Sequence, residues 1–153
     1  MNTQTFKKIA ASTLLAGVVA ITGATSSLAE SQTSEIELTY VWTAKAGMET
    51  QLIQTYNAVG DVLEAGEPGL LKYEISVSEK GDQIIIYERF EDNEALAFHL
   101  QGTAAKYFPQ ISQIATPGPF IFRGDVAEEL KGAAYGMNMG AIFSTEWNGF
   151  ERK

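Results

Sequence analysis

One histidine, His99, is the residue of this chain best suited to proton transfer. Imidazole has an unperturbed pKa near neutrality, so it can take a proton from a substrate and release it again. Glu88 and Arg89 alternate along a preceding apolar run, so one of them should face the helices or a partner subunit. Glu88 could orient His99 by accepting its ring proton, or the two could form a plain structural ion pair.

Aromatic residues that could stack against a flat substrate surround this part of the sequence. The competing interpretation for each of them is ordinary core packing. The competing interpretation for His99 is a structural ring bonded to a backbone carbonyl or to Glu88. The candidate substrate-binding residues are Trp42, Tyr73, Tyr87 and Phe90, beside the candidate catalytic pair His99 and Glu88.

Composition and the amino terminus indicate the setting. Lys7 and Lys8 precede an uncharged apolar run, residues 9–21, and small residues end at Ala29, which is the pattern of a cleaved signal peptide. Without residues 1–29 the chain has 9 basic and 19 acidic groups, a formal net charge of −10. Such acidity argues against nucleic acid as a partner, and the chain has no cysteine for disulfides, thiolate metal sites or a nucleophile. We expect export to the periplasm or outside the cell, with no stable membrane anchor after cleavage.

Alternation and helical spacing predict an α+β domain. Residues 83–90 are apolar on both faces, so that strand needs cover on both sides, from helices and from a second sheet of another copy. Asp92 or Asn93 should cap a helix that Gly102 and Thr103 interrupt, and Pro109 should kink or end the piece that follows. Asp125 and Glu128 have the spacing of a further helix cap. The predicted strands are 36–43, 70–78, 83–90 and 119–123, and the helices are 48–65, the one around His99, and 127–134.

The order strand, helix, strand, strand, helix, strand is that of a ferredoxin-like sheet with helices on one face. The segment PGLLKYEISVSEKGDQIIIYERFEDNEALAFHLQG resembles the antibiotic biosynthesis monooxygenase (ABM) domain, a quinol monooxygenase-like dimeric α/β-barrel family. The resembling pieces are Glu67-Pro68-Gly69 after the first helix, Tyr73, Tyr87-Glu88-Arg89-Phe90, and Ala95 to His99. The domains are then a signal peptide at 1–29, an ABM-like domain at 30–125, and a helix with a strand or arm at 126–153.

This resemblance implies a homodimer that oxidises quinols or related phenols with molecular oxygen and without cofactor or metal, with His99 at the place of the family's helix histidine. The chain departs from small quinol-oxidising relatives, which tend to carry a second histidine where Ala104 or Ala105 stands here. It also lacks the residue set by which some relatives degrade haem.

Three hypotheses follow. The first is a secreted, cofactor-independent monooxygenase with a small aromatic or quinol substrate. The second is a non-catalytic envelope module that binds a small aromatic ligand or haem. The third is an interaction protein whose sheet serves only for dimerisation.

Overall fold

The computed structural model describes residues 35–138 and 140–145. The predicted signal peptide, the methionine at position 139 and the predicted arm after residue 145 lie outside the described residues. No helix within the described part of the chain is long and apolar enough to cross a membrane.

The described residues form one mixed sheet with helices packed on one of its faces. The sheet order is β2-β3-β1-β5-β6, and β4 pairs with the end of β1; all pairs are antiparallel except β5 with β6. The elements are β1 Ile36–Ala44, α1 Glu49–Gly66, β2 Leu70–Val77, β3 Gln83–Phe90, α2 Asn93–His99, a π-helical turn Leu100–Ala104, α3 Ala105–Ile114, β4 Ala115–Pro117, β5 Ile121–Arg123, α4 Glu128–Gly136 and β6 Ile142–Ser144.

This arrangement confirms the predicted ferredoxin-like α+β sheet. Within the single chain the sheet is open, because β2 and β6 are its edge strands among the described residues. The expected α/β-barrel is therefore not closed by one copy of the described chain.

The inner face of the sheet and the helices form the core. β1 buries alternate residues from Ile36 to Trp42, and β3 does the same from Ile84 to Phe90, as a period of two requires. α1 buries the four residues that its apolar spacing predicts, Leu52, Tyr56, Val59 and Leu63. Burial of these side chains is the main force that holds α1 on the sheet.

The outer face of the sheet also carries apolar residues. Ile85 is 41% exposed on β3, opposite Val41 on β1. Ile121 and Ile142 are paired in register on β5 and β6, and Ile142 is 51% exposed. The central strands therefore have an apolar second face, as residues 83–90 predicted.

Strict alternation along residues 70–78 would place Leu71 and Val77 on one buried face with Tyr73 and Ile75, but the structure does not show that face. Leu71 is 44% and Val77 46% exposed, whereas Tyr73 and Ile75 are half-buried. The pairing register with β3 shifts between Leu70 and Lys72. A β-bulge of this kind turns one residue out of the alternation, and β2 lies at the edge of the sheet where such bulges are common.

The helical segment after β3 is continuous rather than interrupted. Gly102 and Thr103 lie in the π-helical turn that joins α2 to α3, so the chain widens for one turn and does not break. Pro109 lies inside α3, which continues to Ile114. The predicted last strand, 119–123, is present in shortened form as β5, and the additional short strand β4 precedes it.

The predicted Asp125 cap of α4 is also wrong. Ala127 is the N-cap residue of α4, and its N–H donates to Asn93 Oδ1 at 2.8 Å. Asn93 Nδ2 donates to the Asp125 carbonyl at 2.9 Å. Asp92, the other candidate, caps α2 by accepting the Ala95 N–H at 2.9 Å. One side chain of α2 therefore fixes the start of α4.

Candidate functional site

A small cavity lies between the inner face of the sheet, α1 and the helical segment that contains the π-helical turn. Its volume is about 30 Å³, which is room for roughly two water molecules. Most of its wall is aromatic or aliphatic. The lining residues are Leu38, Tyr40, Trp42, Tyr56, Val59, His99, Leu100, Thr103, Ala104, Tyr107, Phe108, Ile111 and Phe120.

The aromatic rings of the wall pack against one another. Phe120 stacks on Tyr40, with centroids 4.4 Å apart and an interplanar angle of 13°. The edge contact between Phe120 and Trp42 joins centroids 6.1 Å apart, and Phe108 tilts against Trp42 at 5.3 Å. Such offset and edge contacts fix the orientation of each ring. The cavity therefore offers a flat, apolar surface with defined walls.

His99 is the last residue of α2 and is only 5% exposed. Its Nδ1 lies 2.9 Å from Glu67 Oε2. Because an ionised carboxylate can only accept, Nδ1 carries a proton and donates it. The Thr103 hydroxyl donates to the other oxygen of Glu67. Phe90 packs below the imidazole with ring centroids 5.2 Å apart, so the ring is held from two sides.

Glu88 is the second carboxylate beside His99 and is 1% exposed. Its Oε2 lies 3.7 Å from His99 Nε2, which is close enough for charge attraction and too long for a hydrogen bond. The Tyr40 hydroxyl donates to Oε1 at 2.9 Å. Among the described residues, Oε2 has no hydrogen-bond partner. A buried acceptor without a partner is costly, and such atoms are concentrated at functional sites.

These three groups shift one another's proton affinity. Burial opposes the charged imidazole, but the charge of Glu88 and the hydrogen bond and charge of Glu67 raise the pKa of His99 above its ordinary 6.5. Burial raises the pKa of Glu88 above 4.5, although His99 and Tyr40 act against that rise. For Glu67, burial is outweighed by the hydrogen bonds and charge of His99 and by Thr103, so its pKa falls. Glu67 is therefore the carboxylate that stays ionised, and Glu88 is the one that can hold a proton.

The structure brings together some of the predicted site residues and separates others. His99 and Trp42 line the cavity, and Glu88 lies directly beside His99. Phe90 is completely buried beneath the His99 ring and does not line the cavity. Tyr73 packs on α1 and donates to the Tyr56 carbonyl at 3.2 Å. Tyr87 lies on the outer face under Lys72, with 5.3 Å between the ammonium and the ring centroid.

Glu67 is the residue of this site that the sequence reasoning missed. It was treated only as part of the Glu67-Pro68-Gly69 corner that closes α1, and it is the C-cap residue there. Its spatial neighbour is His99, which lies 32 positions later. The close contact of Gly69 with Ala95, which brings this corner to α2, is visible only in the structure, so the sequence carried no signal for the pair.

Tyr40 was missed for a different reason. It alternates with Leu38 and Trp42 on the buried face of β1, a pattern that predicts core packing alone. Only its pairing register with β3 places it diagonally from Glu88. Tyr56, Phe108 and Phe120 come from elements far apart in sequence, so no local pattern could unite them.

No group of three or more metal-ligating side chains that could hold a metal ion occurs in residues 35–138 and 140–145.

A model of one protein family and several solved structures match this chain. The family model, antibiotic biosynthesis monooxygenase, matches residues 36–109. That range contains β1, the Glu67 corner, Glu88, His99 and the π-helical turn. No curated protein sequence matches the chain significantly.

The solved structures share its fold at low identity. MupZ from Pseudomonas fluorescens is similar with a TM-score of 0.61 and 21% identity, over 77% of this chain and 94% of that one. SnoaB, a cofactor-independent oxygenase from Streptomyces nogalater, is similar with a TM-score of 0.51 and 11% identity, over 58% of this chain and 90% of that one. Protein SO0527 from Shewanella oneidensis is similar with a TM-score of 0.51 and 22% identity, over 59% of this chain and 87% of that one. Residues 36–109, which include His99, Glu88 and most of the cavity wall, therefore form a domain of the antibiotic biosynthesis monooxygenase family.

Proposed function

We propose that this protein is a cofactor-independent monooxygenase that oxidises quinols or related phenols with molecular oxygen. One observation carries the proposal: a buried histidine lies between two carboxylates in the wall of an aromatic cavity. That arrangement is a base placed where a phenolic substrate would be shielded from water. Membership of the ABM family supports it, since cofactor-independent monooxygenases are frequent there.

The proton of the substrate hydroxyl is taken at His99 Nε2. The raised pKa of His99 favours the protonated ring, so the ring must first give up that proton. Glu88 Oε2 is the acceptor, because it is in charge contact with Nε2, has no hydrogen-bond partner among the described residues, and belongs to a carboxyl whose pKa is raised; the pair must close from 3.7 Å to hydrogen-bond distance for the transfer. Moving one proton converts the ion pair into a neutral pair and leaves a free lone pair on Nε2.

Glu67 keeps the ring ready for this step. Its carboxylate accepts the Nδ1 proton, which fixes the tautomer and leaves Nε2 as the exchanging nitrogen. After transfer, the imidazolium formed next to the phenolate stabilises the new negative charge. Thr103 and Phe90 restrict the carboxylate and the ring, so little reorganisation accompanies proton transfer.

The oxygen step needs no further group from the protein. The ionised quinol passes one electron to oxygen, and the two radicals combine to form a carbon–oxygen bond. The resulting hydroperoxide loses water: one oxygen atom stays on the ring as a hydroxyquinone and the other leaves in the water. The cavity of about 30 Å³ is smaller than any such ring, so substrate entry displaces wall side chains; Tyr107 and Phe108, which are half-buried on α3, are the first candidates.

We include two further properties in the proposal. The first is a homodimer in which the outer faces of two sheets pack together and complete the barrel; the exposed Ile85 and Ile142 support it. The second is export after cleavage near Ala29, to the periplasm or beyond, which rests on the sequence pattern alone.

Oxygen uptake tests the function. The purified, metal-stripped protein is mixed with hydroquinones and hydroxynaphthalenes, and uptake is corrected for autoxidation. Removal of a general base costs about 10²–10⁴-fold in rate, so we expect His99→Ala to lose at least 100-fold. Phe98→Ala is the matched control, since Phe98 is the adjacent residue of α2 and is 59% exposed. Uptake no faster than autoxidation for every compound would contradict the proposal.

A non-catalytic module that binds a small aromatic ligand is the second candidate. It is favoured by the carboxylates that face both nitrogens of His99, an arrangement that would equally serve as a fixed structural ion pair. It predicts saturable binding of the same phenols without oxygen uptake. If only dimerisation matters, His99→Ala is silent in every small-molecule assay.

A further inference from the structure

The Trp42 indole N–H is a buried donor without a partner. Trp42 is 1% exposed and lines the cavity, and its Nε1 makes no hydrogen bond within the part of the chain that the structure describes. Burial raises the pKa of Tyr56, and the nearby Trp42 N–H acts against that rise. The Tyr56 hydroxyl is therefore the neighbouring acceptor, but the pair does not meet hydrogen-bond geometry, so the N–H can still donate to a ligand. A buried N–H that lacks an acceptor destabilises the folded protein.

The position of Trp42 relative to His99 follows from the register of β1. Tyr40 and Trp42 are successive inward residues of that strand, and Tyr40 bonds Glu88 beside His99. Trp42 therefore lies two residues, or about 7 Å, further along β1 than Tyr40, the residue that bonds Glu88 at the proton-transfer end of the cavity. Phe108 and Phe120 hold the indole from two sides, so the N–H direction is fixed.

We propose that the Trp42 N–H is a second polar anchor for the substrate, donating to an oxygen at the far side of the ring from the hydroxyl that His99 deprotonates. This inference rests on the proposed function and narrows its substrate class. The cavity then has a polar anchor at each end, and most of the wall between them is aromatic or aliphatic. It selects an aromatic compound with oxygens at both ends, a quinol, over a monophenol of the same shape. A site built to bond a substrate oxygen discriminates against an analogue that lacks it, because the buried donor is again left without a partner.

Anaerobic binding tests the inference without turnover. Dissociation constants of 1,4-dihydroxynaphthalene and 1-naphthol are measured by calorimetry in oxygen-free buffer for the full chain. One neutral hydrogen bond corresponds to about a three- to tenfold preference for the diol in the wild type. Trp42→Phe keeps an aromatic ring and removes the N–H, so the ratio of the 1-naphthol dissociation constant to that of the diol should fall close to one. Tyr135→Phe is the control and should keep the wild-type ratio, because Tyr135 lies on α4, is 62% exposed and does not line the cavity.

A second measurement covers the case in which Trp42→Phe does not fold. In ¹⁵N spectra of the wild-type protein, the indole proton of Trp42 should move downfield with the diol and not with 1-naphthol. The chain has two tryptophans, and the signal that remains in a Trp147→Phe sample is that of Trp42. A wild-type ratio near one, a ratio unchanged in Trp42→Phe, an unmoved indole signal, or no binding of either naphthol overturns the inference.

Failure of the function and failure of the inference are distinguishable. A ratio that collapses in Trp42→Phe without any oxygen uptake supports the anchor in a binding module. Oxygen uptake lost in His99→Ala, with a diol preference that Trp42→Phe leaves intact, supports the monooxygenase and removes the anchor.

Discussion

At the residue scale, the site is a small set of coupled proton carriers rather than a lone histidine. His99 has one carboxylate, Glu67, in hydrogen-bond contact and another, Glu88, in charge contact. Their pKa values move in opposite directions: burial raises the pKa of Glu88, whereas the hydrogen bond and charge of His99, with the Thr103 bond, outweigh burial and lower the pKa of Glu67. Groups whose environments push their pKa values apart can divide acid and base roles between them.

The pKa of His99 should respond to the charges of both carboxylates. In histidine ¹H–¹⁵N spectra we expect a wild-type midpoint above 6.5 and a lower midpoint in Glu67→Gln and in Glu88→Gln, since each variant removes a negative charge. Glutamine at 67 keeps an acceptor for Nδ1–H, so Glu67→Gln isolates the charge. A midpoint that neither variant changes would show that the ring is not coupled to these groups.

Stability should depend on pH with a sign set by His99. Because its folded-state pKa lies above the unfolded value, its stabilising contribution is complete below about pH 6.5 and is lost as the pH rises through the folded-state pKa. The free energy of unfolding, measured with urea, should therefore fall between pH 6.5 and 9. The groups that face His99 in this range are Glu67 and Glu88, with Tyr40 behind Glu88. A free energy of unfolding that stays constant over this pH range would contradict the prediction.

At the element scale, the corner between α1 and β2 positions Glu67 against α2. A Cβ on Gly69 would lie 2.6 Å from Ala95 Cβ, so glycine is required for this close contact. The contact sets how near α2 comes to Glu67 and hence the distance between Glu67 and His99. The corner, which the sequence reasoning treated as a helix stop, thus contributes directly to the site.

Gly69→Ala should destabilise the protein by about 1–3 kcal/mol, the usual cost of an added methylene in a tight contact. Gly66→Ala is the matched control three residues earlier: a Cβ there meets nothing within 4 Å, so we expect no loss or a gain of up to about 1 kcal/mol. Both are measured by urea unfolding. Equal effects of the two substitutions would show that the close contact between Gly69 and Ala95 does not limit the residue type at this corner.

Asn93 should matter to α4 although it lies on α2. Asn93→Ala removes the acceptor of the Ala127 N–H, and loss of a helix cap costs about 0.5–2 kcal/mol. Asp125→Ala should be close to silent, because only the backbone carbonyl of Asp125 is used. Amide exchange should accelerate in α4 for the first variant and not for the second. Faster exchange in α4 for Asp125→Ala than for Asn93→Ala would instead support the Asp125 cap that the sequence predicted.

The sequence predicted the elements better than it predicted their contacts. Alternation in β1 and the spacing of Leu52, Tyr56, Val59 and Leu63 depend on one buried face each, and both predictions are confirmed. The bulge at Leu71 and the cap by Asn93 depend on pairing register and on a neighbouring helix. Glu67 joins His99 only through the fold, so no local rule could find it.

At the scale of the whole molecule, helices cover one face of the sheet, and the described residues leave the other face uncovered. Ile85 lies near the centre of the uncovered face, on a strand paired on both sides. Its cross-strand partner on β1 is Val41, which is half-buried. An apolar surface on the two central strands is suited to pack on a second copy of itself, as the proposed dimer requires.

The proposed dimer predicts a specific change in mass. Light scattering at micromolar concentration should give a dimer for the wild type and a folded monomer for Ile85→Lys, because a charge in that interface would be buried without a partner. Phe98→Lys, on the helical side of the molecule, is the control and should remain dimeric. A monomeric wild type would remove the dimer from the proposal.

The π-helical turn at Leu100–Ala104 makes the site sensitive to residue number as well as residue type. It separates His99 from the wall residues Tyr107, Phe108 and Ile111, and it holds one residue more per turn than an α-helix. Deleting a residue from a regular α-helical turn before Tyr107 would rotate those rings by roughly 100° away from the histidine, whereas deleting Gly102 removes the extra residue and leaves a regular turn. Alignments of relatives that cross this point without a gap would therefore pair the wrong residues after Ala104.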